Sequence, residues 1–97
     1  MPAFILTEDN INGASTKENT VSPTNKIKQA YPKRFRLLDD DEIVYFYGRM
    51  KIQEHGVEVD EFLPLDRLGT GYGCTEIQVW SFDLNEWETV WLWNTKI

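Results

Sequence analysis

Cysteine and histidine occur once each in this 97-residue chain, and ten basic residues face sixteen acidic ones. Each shortage closes a class of function. The lone Cys74 has no partner for an internal disulfide, so a secreted disulfide scaffold is excluded and a reducing cytoplasmic setting is expected. The lone His55 stands in a polar stretch beside Gly56, which predicts a surface position. A nucleophilic dyad of His55 with Cys74 has no support in spacing, and Ser15, Ser22 and Ser81 would each need a base that only His55 supplies. No long apolar run exists. Phe4-Ile5-Leu6 is too short for a membrane span, and no basic n-region precedes it, so neither a membrane partner nor a secretory leader is expected. The net charge of −6 argues against direct, non-specific nucleic-acid binding and against anionic membrane surfaces. It suits a basic surface on a larger protein.

The candidate chemical motifs fail for stated reasons. Asp39-Asp40-Asp41-Glu42 is a contiguous acidic run between two apolar segments. Calcium needs six or more oxygens in a defined geometry, so a solvated turn is the better reading. Gly69, Gly71 and Gly73 precede a strand-like segment and carry no Lys-Ser/Thr pair, which makes them a loop and not a phosphate cradle. No cofactor, metal site or catalytic residue is assigned, and the chain is read as a non-enzyme.

What the chain does have is aromatic residues, and they are unevenly spread. Phe4 is the only one in residues 1–30, a segment rich in Asn, Thr, Ser and Lys. This predicts a flexible N-terminal tail over residues 1–30, with a short docking strand as the exception, and one domain over residues 31–97. All four tryptophans fall in Cys74–Trp93. There, alternation predicts two strands closed by Asp83-Leu84-Asn85-Glu86, with Phe82 opposite Trp87. One face then receives Ile77, Val79, Val90 and Leu92. The other receives Glu76, Gln78, Trp80, Phe82, Trp87, Thr89, Trp91 and Trp93.

A second hairpin is predicted over Lys33–Leu38 and Ile43–Tyr47, with Leu38 opposite Ile43. Phe35, Leu37, Val44 and Phe46 form its apolar side, and Arg34, Arg36, Tyr45 and Tyr47 the other. Phe62–Leu68, interrupted by Pro64, reads as an irregular plug or a single helical turn. The fold class is therefore mainly β: a small antiparallel meander of about four strands in two hairpins, curling towards a barrel.

The order of Leu37-Leu38-Asp39-Asp40-Asp41, Tyr45…Tyr47-Gly48-Arg49, Pro64-Leu65-Asp66…Gly69 and Gly73-Cys74-Thr75-Glu76-Ile77-Gln78 adds a resemblance. It is similar to a family of short, uncharacterised bacterial proteins sharing LLDDD, YxGR, PLD and GCTEIQ segments. The resemblance spans residues 36–80. It implies one compact unit, and it brings no activity with it.

Two functions remain. The first is a non-catalytic protein-binding module, a small acidic interaction or inhibitor protein of the kind phages and mobile elements encode. It would block the basic nucleic-acid groove of a host defence complex, as an inhibitor of a CRISPR-type nuclease would. Its contacts would come from the acidic loops, Asp39, Asp40, Asp41, Glu42, Asp83 and Glu86. The second is a small-ligand module that stacks a sugar or base on a platform of Trp80, Trp91 and Trp93, flanked by Tyr45, Tyr47, Arg34 and Arg36. The bland alternative for the rings is a second, smaller core.

Overall fold

A computed structural model describes residues 3–11 and 20–92. Among them the elements are, in order, β1 (Phe4–Asp9), α1 (Asn25–Ala30), β2 (Lys33–Leu38), β3 (Val44–Met50), β4 (Gln53–Glu54), β5 (Val57–Glu58), α2 (Leu63–Tyr72), β6 (Glu76–Ser81) and β7 (Glu86–Leu92). Five strands form one antiparallel sheet in the order β1-β3-β2-β6-β7, and β4 pairs with β5 in a separate ribbon. The antiparallel β class and both hairpins agree with the sequence. The order is not that of a meander, because β2 and not β3 pairs with β6. The sheet stays open, with β1 and β7 at its edges.

In the N-terminal segment the docking strand allowed for is present, and a helix joins it. Phe4–Asp9 is a full edge strand on β3, and Leu6 is buried in the core. Asn25–Ala30 is a helix whose N-cap, Thr24, accepts a hydrogen bond from the Ile27 N–H at 3.3 Å. Residues 12–19 lie outside the described residues.

One face of the sheet carries Leu6, Phe46, Met50, Phe35, Leu37, Ile77 and Val79, all buried. Helix α2 covers it with Leu65, while Phe62, Leu68 and Tyr72 pack around. Phe46 meets Tyr72 edge-on at 5.2 Å. Gly48 sits under this layer because a Cβ there would overlap the Ile5 carbonyl oxygen and the Phe35 ring.

Helix α2 replaces the expected plug and glycine loop. Pro64 falls in its first turn, where the missing N–H has no intrahelical acceptor to lose. Gly69 and Gly71 lie inside the helix. Only Gly73, at φ 80°, ends it, donating to the Gly69 carbonyl at 2.8 Å.

Three β-bulges decide which side chains share a face. In β1, Leu6 opposes Gly48 and Glu8 opposes Tyr47, which leaves Thr7 as the extra residue. In β3, Val44 opposes Leu38 and Phe46 opposes Leu37, which leaves Tyr45 as the extra residue. In β7, Thr89 opposes Gln78 and Trp91 opposes Ile77, which leaves Val90 as the extra residue. Strand alternation restarts beyond each bulge on the opposite face.

Candidate functional site

The sheet face opposite α2 collects Arg34 and Arg36 from β2, Tyr47 and Arg49 from β3, Gln78 and Trp80 from β6, and Trp87 and Thr89 from β7. Strand alternation puts them on one side, and antiparallel register puts them side by side. Trp80 lies directly opposite Trp87, their rings 5.4 Å apart at 75°. The Arg34 guanidinium stands over both rings, 5.2 Å from Trp80 and 5.3 Å from Trp87. Arg36 lies 4.5 Å over the Trp87 ring, and Tyr47 meets Trp87 at 6.1 Å. Each cation is held at an aromatic face, where the ring quadrupole attracts it.

The charges on this face are unevenly compensated. Arg36 Nε donates to Gln78 Oε1 at 2.6 Å, and Gln78 Nε2 donates to the buried Glu76 at 2.8 Å. Thr89 Oγ1 also donates to Glu76. The Gln78 amide thus links the positive charge of Arg36 to the negative charge of Glu76. Arg49 directs its donors to two main-chain carbonyls, Tyr31 at 2.8 Å and Pro32 at 3.3 Å, and so ties the corner after α1 to β3. Burial, and then the nearby Arg34 charge, push the Arg49 pKa below its ordinary value. Arg34 and Arg49 are cross-strand neighbours of like sign, an arrangement that destabilises a sheet. Arg34 has no carboxylate and no hydrogen-bond acceptor among the described residues. The two ion pairs found there are Lys33 with Glu61 and Lys51 with Glu54.

Beside Arg34 the face opens into a groove of about 700 Å³ between the sheet and the segment around α1. Lys28, Arg34 and Arg49 line it together with Tyr47, Phe82 and Trp87. Glu8 is the one carboxylate in its wall among the described residues.

Several expected site residues are not on this face. The bulge at Val90 turns Trp91 to the α2 side, where its ring meets Phe62 at 4.9 Å. The bulge at Tyr45 takes that ring off the arginine face, and its hydroxyl hydrogen-bonds Asp39, which raises the Tyr45 pKa. Trp93 lies outside the described residues. Phe82 does not pair with Trp87. The hairpin closes one step earlier, at Ser81 opposite Glu86, so Phe82 enters the turn and is 69 % exposed.

The acidic residues form two groups. Asp39 accepts from the N–H groups of Asp41 and Ile43, both at 2.9 Å, so it caps its own turn, and the Ile43 bond leads the causes that lower its pKa. Asp40, Asp41 and Glu42 are exposed in the same turn. Asp83 and Glu86 sit at the β6–β7 turn. Because β6 runs antiparallel to β2, that turn is at the other end of the sheet, about 20 Å away by strand rise.

Sequence reasoning missed Lys28, Arg49 and Glu8. The signal that could have found Arg49 was its spacing of two from Tyr47. Lys28 and Glu8 carried none, since their place depends on β1 and α1 docking.

His55 lies in the β4–β5 turn, where it and Gly56 take φ values of 53° and 79°. Cys74 is buried, and burial pushes its thiol up to about 12. No group of three His, Cys, Asp or Glu side chains among the described residues is arranged to hold a metal. No helix among them is long and apolar enough to cross a membrane. No protein-family model, curated protein or solved structure matches the chain.

Proposed function

We propose that this protein is a non-catalytic binding module and that the arginine-tryptophan face of its sheet is the binding surface. The observation that carries the reading is Arg34. Its cation stands over two indole rings that meet edge to face, next to a second arginine, without a carboxylate partner among the described residues of an acidic protein. An anionic partner would remove the like-charge cost of Arg34 beside Arg49, and the rings would give it an apolar contact. The reading of a basic protein groove as partner draws on Asp39–Glu42, Asp83 and Glu86. Those acids lie at opposite ends of the sheet and form no single ridge, so the small-ligand reading has the better support.

Tryptophan fluorescence during titration with inorganic pyrophosphate tests this reading. Saturable quenching that weakens with salt, and that is lost in Arg34→Gln with circular dichroism unchanged, is expected. Fluorescence indifferent to pyrophosphate would remove the proposal.

A further inference from the structure

We infer that the groove beside Arg34 is a site for a single nucleoside phosphate, an inference that rests on the binding-face reading above. The groove brings together three kinds of contact. Lys28 and Arg34 supply positive charge for a phosphate, and Arg49 adds to the local field while its donors stay on the main chain. Phe82 and Trp87 supply rings. Phe82 is the telling one, because its ring is exposed, lines the groove and packs into no part of the core. Glu8 and the Thr7 position stand on the opposite wall, where a ribose hydroxyl or an exocyclic amine would find an acceptor. The volume of about 700 Å³ lies within the range of small-ligand sites.

Charge separates this ligand from its neighbours in chemistry. A neutral sugar would stack on the rings but leave Arg34 uncompensated. Inorganic phosphate would meet Arg34 but leave Phe82 exposed. A nucleic-acid strand would have to continue past the groove. The turns at the two ends of the sheet carry Asp39–Glu42 at one and Asp83 and Glu86 at the other. The chain as a whole is at −6, so a longer polyanion is repelled on both sides of one short cationic patch. A ligand of one nucleotide fits between them.

Calorimetric titration of the full chain with a panel of ribonucleoside monophosphates, the matching nucleosides, inorganic phosphate and a single-stranded oligonucleotide tests the inference. At least one monophosphate should bind about tenfold or more tighter than either its nucleoside or phosphate alone, the scale expected for stacking one base. Arg34→Gln and Phe82→Ser should each weaken it by about tenfold or more, and circular dichroism should stay unchanged because both side chains project from the core. If no monophosphate exceeds inorganic phosphate while pyrophosphate still quenches the tryptophans, the ligand class is wrong and the binding face stands. If the oligonucleotide binds far more tightly than any monophosphate, the site follows a strand and the inference is overturned. If no anion binds at all, both readings fall together.

Discussion

Cys74 is the residue whose chemistry the fold changes most. It lies 5 % exposed behind the C-terminus of α2, and its thiol is pushed up to about 12, by burial first and by the charge of Asp39 second. The folded state therefore keeps the thiol proton at pH values where the unfolded chain, with an ordinary value of 9.0, has lost it. Because the folded pKa is the higher one, this contribution is fully present below pH 9 and is lost as pH rises towards 12. The loss approaches about 1.4 kcal/mol per pH unit in that window. Denaturant unfolding at stepped alkaline pH should show the decline in the wild-type chain and a shallower one in Cys74→Val. The same burial predicts that an aromatic disulfide reagent labels Cys74 only on unfolding. Gly48 and Gly73 are residue-scale requirements of another kind. The first avoids overlap with Phe35 and the second supplies a left-handed backbone.

Among the elements, β7 matters most for function. It pairs Trp87 with Trp80 on the arginine face and, past its bulge, Trp91 with Ile77 on the core face. One strand thus serves a binding surface and a hydrophobic layer, because the bulge absorbs Val90, which in a regular ladder would turn Trp91 to the arginine face. Deleting Val90 should yield a regular ladder that still sets Trp91 opposite Ile77. The nuclear Overhauser contact between the Trp91 indole and the Phe62 ring should then persist, with stability changed by no more than about 1 kcal/mol. A strand that ran without a bulge would instead lose that contact on deletion. The segments Leu37–Asp41, Tyr45–Arg49, Pro64–Gly69 and Gly73–Gln78 fall on the β2–β3 turn, on β3, at the start of α2 and on its exit into β6. In the fold they cap turns, admit close backbone approach and end a helix, which are duties of framework more than of recognition.

For the whole molecule, the small size makes every strand count. β1 covers the outer edge of β3 and adds Leu6 to the core, while Phe4 meets Phe35 edge-on at 5.9 Å. Removing residues 3–11 should lower the free energy of unfolding by about 3 kcal/mol or more, the scale of emptying one buried leucine site. The urea midpoint measures it, and an unchanged midpoint would show that β1 adds nothing to the stability of the sheet. At the same scale, the net charge of −6 conceals a local reversal of sign, because Lys28, Arg34, Arg36 and Arg49 come from three elements and meet on one face.

The mainly β class was legible in the sequence, as were two hairpins and an arginine face against tryptophan. These depend on alternation and turn chemistry, which act over a few residues and are written in their order. Arg34, Arg36, Tyr47 and Trp80 were found that way. Tyr45, Phe82 and Trp91 were not, because a bulge or a shifted turn costs little locally and is chosen by what packs on each side. The helix through Pro64, Gly69 and Gly71 was equally hidden. Its glycines disfavour a helix in isolation, and only burial of Leu65 against the sheet outweighs that propensity. The pairing of β2 with β6, and the meeting of Lys28, Glu8 and Arg49 around one groove, belong to tertiary structure alone. They join residues far apart in the chain, and the free energy that holds them is the burial of surfaces that exist only once the sheet has formed.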